Sequence, residues 1–186
     1  MNTQHLEELF PQRRHIRLGN YDYTWPGSYF VTICTHGKQN LFGNIIDRSM
    51  KLNPYGEIVA SIWKDIPLHY PEVNNEVFTV MPNHVHGVVI LKSENGRSGS
   101  KPDPTRKPPL SEIIRAFKTY SSRRINEQRN SKGIPVWQLG YYEHVIRGED
   151  EYEQIGEYII FNPTKWETDR ENPITISKAK TLPFEH

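Results

Sequence analysis

Apolar positions along this chain switch between a period of two and a period of 3.6, and the switches divide it into elements. Residues 28–35 (SYFVTICT) are aromatic and β-branched, which predicts a strand. Residues 50–52 and a turn at Asn53, Pro54, Tyr55 and Gly56 lead into a helix. Its Ile58, Val59, Ile62, Trp63 and Ile66 follow the i, i+3, i+4 pattern, and Pro67 is expected to stop it. Residues 77–80 and 85–91 read as two strands flanking Met81, Pro82 and Asn83. After them, residues 93–109 are polar, basic and rich in Gly and Pro, a loop; its Asn95–Gly96 turn signal is followed by no strand pattern. Ser111 is placed to cap a helix with Ile113, Ile114, Phe117 and Ile125 on one side. Residues 136–137 and 141–146 form a further strand region. Residues 149–161 form a helix with an acidic first turn, ended by Asn162 and Pro163. The order β, α, β, β, α, β, α predicts an α+β sandwich: an antiparallel sheet with helices on one face.

Composition narrows the class. A chain of 186 residues with 35% hydrophobic content suits one compact core rather than two thin ones. A single cysteine, Cys34, leaves no internal disulfide and suits a reducing compartment. No apolar run has the length of a bilayer span or the form of a signal peptide, so a cytoplasmic protein without a membrane partner is expected. The net charge of +1 conceals an asymmetry. Residues 92–132 carry eleven Lys and Arg against Glu94, Asp103, Glu112 and Glu127, whereas from Glu143 onward ten acids face five bases. A basic middle of this kind fits either a polyanion-binding face or a solvated loop and helix.

The sharpest chemical feature is Pro82-Asn83-His84-Val85-His86-Gly87. Side chains at i and i+2 of a strand share a face, about 7 Å apart along the chain, so two imidazoles can converge on one ion if the strand twists. Two histidines facing solvent on an edge strand would give the same spacing. No Asp or third His follows closely, as a metallo-hydrolase of the HxHxDH kind would need. An oxygen ligand is still required for Mg2+ or Mn2+. Tyr158 and Asn162, four residues apart, share one helical face about 6 Å apart along the axis and could supply a phenol and an amide together. Ten tyrosines are present, and periodicity alone does not select this one; Tyr152 leaves the Asn162 face, and Tyr141 and Tyr142 fall in a strand. On the basic helix, Arg115, Lys118, Arg123 and Arg124 could track a phosphate backbone, while Phe117 and Tyr120 could stack on bases or, for Phe117, simply fill the core.

Four segments together resemble one family. IRLGNYDYTWPGSYFVTICT, FTVMPNHVHGVVIL, LSEIIRAFKTYSSRRIN and VWQLGYYEHVIRGEDEYEQIGEYIIFNPTKW, spanning residues 16–166 in order, are similar to the REP-associated tyrosine transposases, single-tyrosine HUH transposases of bacterial insertion sequences. The resemblance implies a ferredoxin-like or RNA-recognition-like fold with the HUH strand central. It implies a catalytic domain over residues 28–166, a basic arm at 1–27 and a tail at 167–186. By the same analogy His84, His86 and Asn162 would hold Mg2+ or Mn2+ and Tyr158 would be the nucleophile. Arg13, Arg14 and Arg17 would approach a REP-type hairpin in single-stranded DNA, and the protein would be nucleoid-associated, as a monomer or a homodimer.

The implied activity is cleavage and rejoining through a 5′-phosphotyrosine, with phenolate serving as both nucleophile and leaving group. A non-catalytic single-stranded nucleic-acid binder of the same fold, an HUH replication initiator and a metal-dependent hydrolase are the alternatives. Only a transesterase would leave a covalent protein–DNA adduct.

Overall fold

The computed structural model describes residues 26–75, 77–92 and 109–174. The basic arm with Arg13, Arg14 and Arg17, most of the 93–109 loop and the end of the tail lie outside these residues.

Strand β1 (Gly27–Cys34) runs through the middle of an antiparallel sheet, paired on one side with β6 (His84–Leu91) and on the other with β7 (Tyr142–Ile146). The far edge of β6 is shared by two short strands. β4 (Val73–Asn74) pairs with its Leu91 end and β5 (Phe78–Met81) with its His84 end. β5 and β6 are the expected pair around Pro82 and Asn83.

Alternation along β1 and β6 gives the sheet two different faces. Tyr29, Val31, Ile33, Val85 and Val89 point to the main core, where they meet Val59 and Trp63 of α1 (Pro54–Lys64) and Ile113, Ile114 and Phe117 of α3 (Leu110–Gln128). Phe30 and Val88 point the other way, into a smaller cluster with Ile146 and with Ile155 and Ile159 of α4 (Glu149–Phe161). The class is α+β, with α1 and α3 on one face and α4 on the other. Gly87 marks how tightly the main face is packed: a Cβ there would sit 2.3 Å from the Trp63 ring. Trp63 in turn donates its indole N–H to the Asn75 carbonyl.

Several elements depart from the sequence expectations, each for a local reason. Residues 50–52 are half of a hairpin, β2 (Gly43–Ile46) with β3 (Ser49–Leu52), rather than a lead into the helix. Its two-residue loop puts Asp47 and Arg48 at positive φ, 49° and 59°, without the glycine that normally signals such a turn. Asn53 is the cap of α1, its Oδ1 accepting from the N–H groups of Tyr55 and Gly56, and Pro54 opens the first turn. Helix α1 ends at Lys64; Pro67 instead lies in the first turn of the short α2 (Ile66–His69). Ser111 does not cap α3, which begins at Leu110 because that leucine is fully buried in the core.

Helix α4 occupies the residues expected, but Asn162 and Pro163 do not stop the chain from winding. It continues as a 3-10 helix, Asn162–Thr168, whose opening turn tolerates the missing proline N–H. The chain then folds back, so that Asp169, Glu171 and Asn172 are buried although the tail was expected to begin at 167. No helix among the described residues is long and apolar enough to cross a membrane.

Candidate active site

The face of β6 opposite the main core carries His84 and His86, both buried. Their Nε2 atoms lie 3.0 Å apart, so the strand does twist enough for the rings to converge. Each ring is fixed from behind. His84 Nδ1 is 2.8 Å from Asn83 Oδ1, and His86 Nδ1 is 2.9 Å from the Thr32 hydroxyl on the neighbouring strand. The Asn83 amide is unambiguous in orientation, because its Nδ2 donates to the carbonyls of Lys38 and Glu171. Its Oδ1 therefore faces His84, which donates from Nδ1 and turns Nε2 toward His86. The Thr32 hydroxyl can accept from His86 in the same manner. Burial, and then the neighbouring His84, lower the pKa of His86 to about 3 against the opposing pull of Asp169, so this ring is neutral at ordinary pH.

Helix α4 lies over this pair. The Tyr158 hydroxyl is 3.3 Å from His86 Nε2, and the phenol packs edge-on against Phe30. Burial raises the Tyr158 pKa, and Asp169 raises it further; Arg170 and a hydrogen bond with Asn162 pull it down by less. One turn later Asn162 is buried, its Nδ2 donating to Asp169 at 3.1 Å. Its Oδ1 has no hydrogen-bond partner, an orphaned acceptor on the inside of the protein.

Asp169 is the residue that sequence reading missed. Its carboxylate and the two imidazoles offer ligand atoms all within 4.8 Å of one another, and all three residues are buried. Nothing in the periodicity marks it, because it follows a 3-10 run that sequence took for the start of a tail.

The donor set fits a cation. Two nitrogens bound at about 2.1 Å and subtending a right angle at one ion would stand about 3.0 Å apart, the separation of the two Nε2 atoms. Two imidazole nitrogens, a carboxylate and an amide oxygen with a free lone pair form a mixed N/O set of the kind that holds a divalent metal.

The expected DNA-binding side chains sit elsewhere. Arg115, Arg123 and Arg124 are exposed on α3, which packs on the opposite face of the sheet from the histidines. Arg123 and Arg124 both approach Glu127, at 2.9 and 4.0 Å. Lys118 is not directed at solvent for phosphate contact: its ammonium donates to three successive carbonyls, those of Gln138, Leu139 and Gly140. Its partial burial there lowers its pKa. Tyr142 and Tyr152 pack against the smaller cluster alongside Tyr158.

No family model matches the chain. An uncharacterized protein of Haemophilus influenzae is 40% identical over 167 residues, covering 85% of this chain and 92% of that protein. A second Haemophilus influenzae protein, named "Putative REP-associated tyrosine transposase", is 23% identical over 150 residues, covering 80% of this chain and 77% of its own length. Among solved structures, a REP-associated tyrosine transposase bound to a REP hairpin is 19% identical, with a TM-score of 0.48 over 83% of this chain and 73% of the other. A transposase described as putative from Deinococcus radiodurans is 18% identical, with a TM-score of 0.42 over 76% and 92%. The chain is thus related to the uncharacterized protein over 85% of its length and is similar, at lower identity, to the protein named as a REP-associated tyrosine transposase.

Proposed function

We propose that this protein cleaves and rejoins single-stranded DNA at REP-type hairpins through a covalent 5′-phosphotyrosine on Tyr158. The observation that carries the reading is the Tyr158 hydroxyl lying 3.3 Å from one of two convergent, buried imidazoles. The similarity to a protein named as a REP-associated tyrosine transposase supports the choice of substrate.

His84, His86 and Asp169 would hold a divalent cation, Mg2+ or Mn2+, with the unpartnered Oδ1 of Asn162 as a further donor. When bound, such an ion supplies Lewis-acid polarisation of a phosphoryl oxygen and charge that favours the phenolate. The remaining work falls to the chain. Phe30 and His86 hold the phenol in one orientation against the sheet. The Tyr158 oxygen attacks the scissile phosphorus and loses its proton. The bond to the 3′ oxygen breaks, leaving a free 3′-OH and a phosphotyrosyl link to the 5′ side. Attack by that 3′-OH, or by another, reverses the step and releases the tyrosine. Because the phosphoester bond is conserved on the enzyme, rejoining needs no outside energy.

Substrate capture falls to arginines away from the two histidines. Arg115, Arg123 and Arg124 would contact phosphates distant from the cleavage point, and Arg13, Arg14 and Arg17, outside the described residues, would reach the hairpin. Residues 28–166 would form the catalytic domain, completed by the buried Asp169, Glu171 and Asn172 from what sequence assigned to the tail.

The test is incubation with a labelled single-stranded hairpin oligonucleotide and Mg2+ or Mn2+, followed by a denaturing gel. A protease-sensitive shifted band is expected, absent with EDTA, with Tyr158→Phe and with His84→Ala. Duplex cleavage with no adduct, or an adduct that survives Tyr158→Phe, would overturn the proposal. Hairpin binding by the wild type with no adduct under any metal would favour the non-catalytic binder.

A further inference from the structure

In segment 169–172 the polar residues Asp169, Glu171 and Asn172 are buried, with Arg170 between them exposed. Polar groups are kept inside a protein only when they are partnered, and here the partners converge on the two histidines. The Glu171 carboxylate lies 2.9 Å from Lys38 Nζ and 3.2 Å from Cys34 Sγ, which donates to it. The Glu171 carbonyl accepts from Asn83 Nδ2 at 2.7 Å, and the Glu171 N–H donates to Asp169 Oδ1 at 2.6 Å.

One amide therefore touches three parts of the molecule. Through Nδ2, Asn83 binds the Lys38 carbonyl in the 3-10 turn His36–Lys38 and the Glu171 carbonyl. Through Oδ1 it fixes the tautomer of His84. Glu171 reaches the site by a second route, because its N–H orients the carboxylate of Asp169. If Glu171 leaves its place, both Asp169 and the amide behind His84 lose a support. A segment needed only to cover the sheet would have no reason to bury an ion pair there, since an apolar pair of similar volume does as well or better.

We propose that segment 169–172 is a latch that assembles the metal site, with the Lys38–Glu171 ion pair as its catch and Asn83 as the positioning residue that joins it to His84. The inference rests on reading His84 and His86 as metal ligands. Its ligand is a divalent cation, and its effect is on affinity for that cation before any DNA is bound.

The test is titration calorimetry of the full-length protein with Mn2+ alone. Lys38→Gln and Glu171→Gln should each weaken binding by roughly 10-fold or more, the usual range for groups that orient ligands. The double variant should be no weaker than the worse single one, since both remove the same catch. Asn83→Ala should in addition change the nitrogen chemical shifts of the His84 ring from one tautomer to a mixture, which a purely structural staple would not do. Lys38 is half-buried at the surface, so its glutamine variant is expected to fold even if the others do not. Wild-type affinity in Lys38→Gln and Glu171→Gln, with only thermal stability lowered, would overturn the latch and leave the metal site standing. No Mn2+ binding by the wild type, or binding unaffected by His84→Ala, would instead overturn the metal reading and the latch with it.

Discussion

The Tyr158 hydroxyl and His86 Nε2 stand 3.3 Å apart, one contributed by helix α4 and the other by strand β6, 72 residues earlier in the chain. A phenol in that position is desolvated and faces the carboxylate of Asp169, and both raise its pKa above the ordinary tyrosine value. In the metal-free protein it stays protonated while exposed tyrosines ionise. The ultraviolet tyrosinate titration of wild type minus Tyr158→Phe should therefore show its step on the alkaline side of pH 10. A step below that value would mean that the hydroxyl is open to solvent.

Asp169 gives a prediction about ions rather than about DNA. Asp169→Asn keeps the shape and a donor–acceptor group but removes the charge, and Mn2+ affinity should fall by roughly 10- to 100-fold. The same change removes one of the influences that raise the Tyr158 pKa, so the tyrosinate step should move down in pH. Unchanged affinity would exclude the carboxylate from the ligand set.

Glu151 ties α4 to β7. Its Oε1 is 2.7 Å from His144 Nε2, and its Oε2 accepts from the Arg147 N–H. Burial alone would raise its pKa, but these hydrogen bonds win and lower it. A depressed carboxylate stabilises the fold above its unfolded pKa, and that contribution is lost as pH falls through the folded value. Glu151→Gln should cost about 1–2 kcal/mol in urea unfolding at neutral pH. The gap to wild type should close on acidification below the ordinary carboxylate range. A gap that widens in acid would contradict this origin.

Gly87 separates the two faces of β6 at their tightest point. A methyl group there meets the Trp63 ring at 2.3 Å, so Gly87→Ala should destabilise by about 1–3 kcal/mol through overpacking. Equilibrium denaturation measures it directly. Loss within a few tenths of a kcal/mol would show that Trp63 can move aside.

How much could be read from sequence depended on whether the relevant interaction was periodic. Alternation along residues 84–91 placed the imidazoles on one face and Val85 on the other, and the i, i+4 spacing put Tyr158 and Asn162 together. The bounds of helix α4 were legible because acidic residues mark its first turn and Asn162–Pro163 its end. The hairpin of β2 and β3 was not, because Arg48 occupies, after Asp47, the left-handed position where a hairpin turn normally shows Gly. Asp169 was lost because a 3-10 run followed by a reversal carries no repeating pattern. Lys118 shows the limit of counting charges: composition cannot distinguish an ammonium meant for phosphate from one that binds three carbonyls of its own loop.

Strand β6 is a wall with chemistry on one side and the hydrophobic interior on the other. Its side chains alternate, so a slip of a single residue against β1 would turn His84 and His86 inward among the α1 and α3 side chains and push Val85 out into their place. A register slip would thus dismantle the core and the candidate site together.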